Sequence, residues 1–195
     1  MEPEVTTDEE SVFSKIRSNV IELIEFVAIT GAIVVIVHFF IAEPHEVSGS
    51  SMVPNFHDQD YLITNKIGTR FSPPQKGEVL ILHSPRNPDI ILIKRVVGLP
   101  RERIKLSGGK VYINGQLDTE PYLDPSLTTA GGSFLPEDEE ITIPDGQYFV
   151  MGDNRSASSD SREFGTVKLD EIIGQAWFRY WPPDRVRLIQ IGQSS

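Results

Sequence analysis

Cysteine is absent from the 195 residues. That excludes a disulfide framework, a thiolate zinc site and a cysteine nucleophile. It is compatible with an oxidising, extracytoplasmic location. Histidine is scarce, with four in the chain. An excess of basic charge is lacking too: 18 Lys and Arg face 28 Asp and Glu, for a net charge of −10. No phosphate-neutralising surface is expected, and so no nucleic-acid partner. The acidity reads as a solvated surface. Internal repeats are absent, and so are long amphipathic helices. The length allows a tail, a membrane anchor and one domain of about 150 residues.

A long apolar run is present. Residues 20–42 read VIELIEFVAITGAIVVIVHFFIA. At about 1.5 Å per residue they make a helix of about 34 Å, enough for a hydrocarbon core of about 30 Å. Glu22 and Glu25 fall in its first turns and suit the interface. A buried core helix fits less well, because Phe26 to Ala42 shows no polar stripe. A cleaved signal peptide also fits poorly. The run is long, and Phe40 stands where a small residue is expected before a cut after Ala42. Residues 1–19 read as a cytoplasmic tail, disordered over 1–12, and residues 20–42 as an uncleaved transmembrane anchor. Lys15 and Arg17 precede the anchor, and the first basic residue after it is Lys66. That bias places the N-terminus in the cytoplasm and residues 43–195 outside it.

Beyond Pro44 the pattern changes to short β-like runs broken by Gly, Pro and Asp. DYLITNKI, GEVLILHS, DIILIKRVVGL and ERIKLSG have strand character. KVYINGQL carries Asn114-Gly115, suited to a type I′ hairpin turn. EEITIPDGQYFV, GQAWFRYW and VRLIQIG supply further strands. The fold class is mainly β, an antiparallel-sheet domain preceded by one transmembrane helix. Residues 119–138, rich in Pro, Gly and acids, read as a surface insertion. Trp177 and Trp181 read as core residues, with a second reading of WFRYWPP, Val53 and Phe56 as membrane-interface contacts.

Three stretches carry chemistry. VSGSSMVP (47–54) follows the anchor and holds Ser50 and Ser51. ILIKRVVGLP (91–100) places Lys94 after four aliphatic residues. MGDNRSASSDSREFG (151–165) is a polar block after an apolar run. A lysine with its ordinary pKa near 10.4 is protonated at neutral pH and cannot act as a base. Burial lowers that pKa by disfavouring the ammonium. Strand alternation sends Lys94 and Arg95 to opposite faces. Alone, Lys94 also fits the solvent side of an edge strand, SGSSM also fits a linker, and GDNRSASSDSR also fits a polar loop. That loop lacks the acidic spacing of an EF-hand, so no metal and no cofactor are expected. A serine nucleophile with a lysine base is a recognised variant of the catalytic triad.

Together, SGSSMVP, KGEVLIL, IKRVVGLP and MGDNRSASSDSR resemble, in order, the boxes of the type I signal peptidases, membrane-anchored Ser–Lys proteases. The resemblance implies the antiparallel β fold that this family shares with self-cleaving repressors. It implies Ser51 as nucleophile, with Ser50 a spacer, and Lys94 as general base. Ser158 would hydrogen-bond the Lys94 amine. Asp153 would pair with Arg95, and Asp160 with Arg162, bracing the site. Val47, Ser48, Met52, Phe56 and Ile93 would shape shallow pockets favouring Ala-x-Ala-like cleavage sites. The Ser51 amide would be one oxyanion donor. Gly49 stands where some relatives carry a serine that supplies the second donor, which leaves that donor unsettled. Two further departures are Arg101-Glu102 for the usual Gly-Asp, and Asn55 for the common Thr. One anchor and a short middle insertion resemble the small members of the family.

The implied activity is removal of signal peptides from membrane-inserted preproteins at a lipid bilayer. The membrane is a plasma membrane, or a thylakoid membrane in a cell that has one. Two other readings stand beside it: a membrane-tethered β-domain that only binds a partner, and a Ser–Lys protease with another substrate.

Overall fold

The computed structural model describes residues 7–36 and 42–191. The chain divides into two compact units, residues 1–41 and 42–195. Within the first, helix α1 spans Thr7–Ile36. It starts well before Val20, so residues 7–12, expected to be disordered, are helical. Its stretch Ser14–Val35 is long and apolar enough to cross a membrane, and none of it is buried. The end of the expected anchor, residues 37–41, lies outside the described residues, as do residues 1–6 of the expected tail.

The second unit is built from antiparallel strands. The larger sheet contains β1 (Ala42–Glu46), β2 (Tyr61–Asn65), β3 (Val79–Ser84), β4 (Asn87–Gly98), β9 (Gln147–Met151), β10 (Val167–Lys168) and β11 (Ile172–Trp181). Their order is β1-β2-β11-β3-β4-β9-β10, with β12 (Arg187–Leu188) added on β11. A smaller sheet of β5 (Arg103–Ser107), β6 (Lys110–Ile113), β7 (Gln116–Leu117) and β8 (Glu140–Thr142) has the order β7-β6-β5-β8. Asn114 and Gly115 both take positive φ between β6 and β7, as the hairpin motif requires. The run VRLIQIG contributes only Arg187 and Leu188 to a strand, and its last residue lies outside the described residues.

Side-chain alternation along β3 separates two cores. Val79 and Ile81 join Val47, Met52, Phe56, Leu62, Ile93 and Ala176. Leu80 and Leu82 join Val96, Tyr148, Val150, Val167 and Ile172. A third cluster sits against the smaller sheet: Val97, Ile104, Leu106, Val111, Ile113, Leu135, Ile143, Phe149 and Met151.

β1 was not expected from its sequence. Glu43, Pro44, His45 and Glu46 are poor strand formers, yet Ala42–Glu46 pairs in register with Asn65–Tyr61. Its position at the edge of the sheet tolerates Pro44, whose nitrogen cannot donate to a ladder. The segment 119–138 is more than a surface insertion, because Tyr122, Thr129 and Leu135 are buried. The expected burial of Trp177 and Trp181 is also corrected: they are 53% and 51% exposed. Ala176 and Arg179 take the buried positions in this part of β11, and the two tryptophans point away from the core. Phe56, read as an interface candidate, is a core residue instead.

Candidate active site

Ser51 sits in a tight turn that leaves β1. Gly49 has φ +90°, a conformation that suits glycine and strains other residues. The turn is closed by Val53 N donating to Ser50 O at 3.2 Å and Phe56 N donating to Met52 O at 2.9 Å. Lys94 comes from the middle of β4, held between β3 and β9. It faces Leu80 across the ladder while Arg95 faces Val79, so the two side chains take opposite faces. Both are buried, at 2% and 1% exposure. The solvent-facing edge-strand reading of Lys94 therefore does not hold.

Lys94 Nζ donates to Ser51 Oγ at 2.9 Å. Burial pushes the Lys94 ammonium down to about 8; the carboxylates of Asp160 and Asp153 oppose this, and the Arg162 guanidinium adds to it. A nitrogen with that pKa loses its proton within reach of neutral pH. In its neutral form the nitrogen has a lone pair within hydrogen-bond reach of the Ser51 hydroxyl. None of the described histidines hydrogen-bonds Ser51.

The polar block after β9 fixes the serine from behind. Asn154 N donates to Ser51 O at 3.0 Å, and Asn154 Nδ2 donates to Ser50 O at 3.1 Å. Gly152 is packed so closely that a Cβ there would overlap the Ser51 carbonyl oxygen and Ser158 Oγ. Arg95 meets Asp153 through two bonds, Nε to Oδ1 at 2.8 Å and Nη2 to Oδ2 at 2.7 Å. Its Nη1 donates to Gly77 O at 2.9 Å. Arg162 grips Asp160 in the same bidentate manner, with both distances 2.8 Å. Asp160 Oδ2 also accepts the Gly152 amide at 3.0 Å. Both buried pairs join the residues the sequence named for them.

Ser158 differs from expectation. Its Oγ is buried without a hydrogen-bond partner, so the bond to Lys94 is not formed. The hydroxyl is packed over the Cα of Gly152 instead. Gly49 differs as well. Its amide donates to Asp58 Oδ1 at 2.7 Å and is not free for an oxyanion. Among the described residues the Ser51 amide makes no hydrogen bond, which leaves it available as a donor.

A cleft of about 320 Å³ opens beside Ser51 and Lys94. Of the expected pocket residues, Val47, Ser48 and Ile93 line it. Met52 and Phe56 do not: they pack in the core behind Val47 and Ile93, because the turn after Ser51 points them inward. The sequence reading missed Leu62 and Ile81 in the lining, and Pro44, His45 and Glu46 of β1 on its wall. Strand alternation in LIT and LIL was the available signal for the two aliphatic residues.

A serine hydroxyl in contact with a buried amine, with a free amide at the serine and a cleft beside it, is the arrangement of a serine hydrolase. Residues 20–181 match the family described as "Signal peptidase, peptidase S26". Over 177 residues the chain is 33% identical to signal peptidase IB of Staphylococcus aureus, covering 85% of this chain and 92% of that protein. Over 164 residues it is 37% identical to signal peptidase I of Bacillus caldolyticus, covering 80% and 88%. A solved signal peptidase I from Enterococcus faecalis is 32% identical, covering 53% of this chain and 97% of that one, with a TM-score of 0.45. The chain belongs to the signal peptidases of peptidase family S26, and its activity is that of a type I signal peptidase, a serine endopeptidase acting on exported preproteins.

Proposed function

We propose that Ser51 and Lys94 form the catalytic dyad of this endopeptidase. The observation that supports it is the 2.9 Å contact between a buried lysine amine and a serine hydroxyl. Neutral Lys94 takes the Ser51 proton as Oγ attacks the scissile carbonyl. The oxyanion forms toward the Ser51 amide. Lys94 then gives its proton to the leaving amine, and the acyl chain stays on Ser51 as an ester. A water, deprotonated by Lys94, releases the new carboxylate and restores the serine.

The cleft walls of Val47, Leu62, Ile81 and Ile93 accept small apolar side chains, which favours Ala-x-Ala-like sites. Ser158 orients the Lys94 amine during turnover; an unpartnered buried hydroxyl gains about 1–3 kcal/mol by finding a partner. Arg95–Asp153 and Arg162–Asp160 brace the site from behind. The N-terminal apolar segment spans a plasma or thylakoid membrane with the N-terminus cytoplasmic, as Lys15 and Arg17 favour. Exposed Trp177, Tyr180, Trp181 and Leu188 suit the lipid headgroup region.

Cleavage of a purified preprotein in liposomes tests this reading. Ser51→Ala and Lys94→Ala should both be inactive while folded, whereas Ser50→Ala should cleave. Activity in Lys94→Ala would remove the dyad.

A further inference from the structure

We infer that Asn55 is a positioning residue for the catalytic turn, acting through the two hydrogens of its side-chain amide. This rests on the Ser51–Lys94 reading above. Asn55 follows Ser51 closely in the same turn and is buried. Its Nδ2 donates to Asp153 Oδ2 at 2.8 Å and to Tyr122 O at 2.8 Å. Both acceptors are oxygens without a hydrogen, so the group facing them must be the NH2 end of the amide. Each of its two hydrogens has one acceptor.

The two acceptors belong to different parts of the chain. Asp153 carries the bidentate pair with Arg95 and directly precedes Asn154, which holds the Ser51 and Ser50 carbonyls. Tyr122 comes from the segment 119–138, and its ring lies 4.1 Å from the Arg95 guanidinium carbon. Nearby, Glu120 of the same segment pairs with Arg155. Asn55 therefore ties the nucleophile turn, the polar block and the inserted segment at a single buried point. A threonine hydroxyl at this position has one hydrogen and can donate to only one of the two acceptors at a time. The segment 119–138 thereby acts as a buttress of the active site.

Charge gives Asn55 a second effect. Asp153 holds the Lys94 ammonium up against the effect of burial. A donor on Asp153 Oδ2 weakens that pull. Without it, the carboxylate acts more strongly on Lys94, and water that enters the gap acts in the same direction. Both raise the pKa of the base.

The experiment uses the full chain in liposomes and a fluorogenic peptide with Ala at −3 and −1. Asn55→Thr, Asn55→Leu, Ser51→Ala and wild type are compared. Asn55→Leu should lower kcat by about 10- to 100-fold, the range in which small misplacements of a nucleophile fall. Its KM should stay within about twofold, since Asn55 does not line the cleft. The acid limb of its kcat–pH profile should move to higher pH. Asn55→Thr should show the same changes at smaller size, and carries the test if Asn55→Leu does not fold. Wild-type kcat and an unmoved acid limb in Asn55→Thr would overturn the inference, as would a change confined to KM. An active Ser51→Ala would instead overturn the dyad itself, so the two failures are distinct.

Discussion

Lys94 Nζ and Ser51 Oγ meet at 2.9 Å although 43 positions separate them in sequence. The contact is made by two rigid supports. Lys94 is fixed by its place inside an antiparallel sheet, and Ser51 by the hydrogen bonds that Asn154 makes to its turn. Strand pairing thus sets where the Lys94 amine stands relative to the serine turn.

The pH dependence of turnover follows from the Lys94 value of about 8. The base works only when neutral. Activity should rise with pH through that value and fall by about tenfold per unit on its acid side. A kcat/KM profile on a non-titrating peptide checks this. A flat profile between pH 6 and 9 would contradict it.

The same shift appears in stability. Folding lowers the Lys94 pKa from 10.5 to about 8. Below about 8 both states are protonated, and the folded state carries the full cost of a buried ammonium. Between those two values the unfolded state holds the proton that the folded state has released, so stability rises with pH. Lys94→Met should therefore be more stable than wild type at pH 7, by up to about 3 kcal/mol. The advantage should shrink as pH climbs from about 8 toward 10.5. Denaturant titrations in detergent at several pH values measure it.

Gly152→Ala should be inactive or nearly so. Its methyl group would occupy the space of the Ser51 carbonyl oxygen and the Ser158 hydroxyl. Relief requires the nucleophile turn to move, and a displacement of about 1 Å costs on the order of 100-fold in rate. Comparison of kcat with the unfolding midpoint separates this effect from a loss of fold.

Asp153→Ala should destabilise the domain by about 3–5 kcal/mol, because it strands the buried Arg95 guanidinium. Any activity that survives should have its acid limb at lower pH. Asp153 raises the Lys94 pKa, and its removal releases that pull. This is the opposite direction to the Asn55 variants.

Cleft width sets the last expectation. Ile93→Ala removes bulk from a wall of the cleft beside Lys94. Peptides with Val or Leu at −3 or −1 should improve relative to Ala by about 10-fold, the usual scale for a few methylenes in an apolar pocket. Competition between peptides gives the ratio directly. An unchanged ratio would take Ile93 out of the specificity pocket.

The chemistry of this chain was legible where it depends on residue type. Ser51, Lys94 and the two Asp–Arg pairs could be assigned because four short stretches, in order, resemble the boxes of a known family; each stretch alone also fits a linker, an edge strand or a polar loop. Elements that depend on tertiary pairing were not legible. Ala42–Glu46 becomes a strand through its ladder with β2, not through its own propensity. Met52 and Phe56 were assigned to the cleft by the resemblance, and the turn after Ser51 sends them into the core instead. Trp177 and Trp181 read as core residues, whereas Ala176 and Arg179 take the buried positions of β11. The buttress formed by Tyr122 and Glu120 was hidden in a segment whose composition is that of a loop.

The bonds from Asn154 to the Ser50 and Ser51 carbonyls have a consequence for biosynthesis. The serine turn is among the first parts of its domain to leave the ribosome, and the residue that fixes it comes about a hundred positions later. Contacts of such long range form late in folding. Until residue 154 has been made, the serine turn lacks the two bonds that hold its carbonyls in the finished domain.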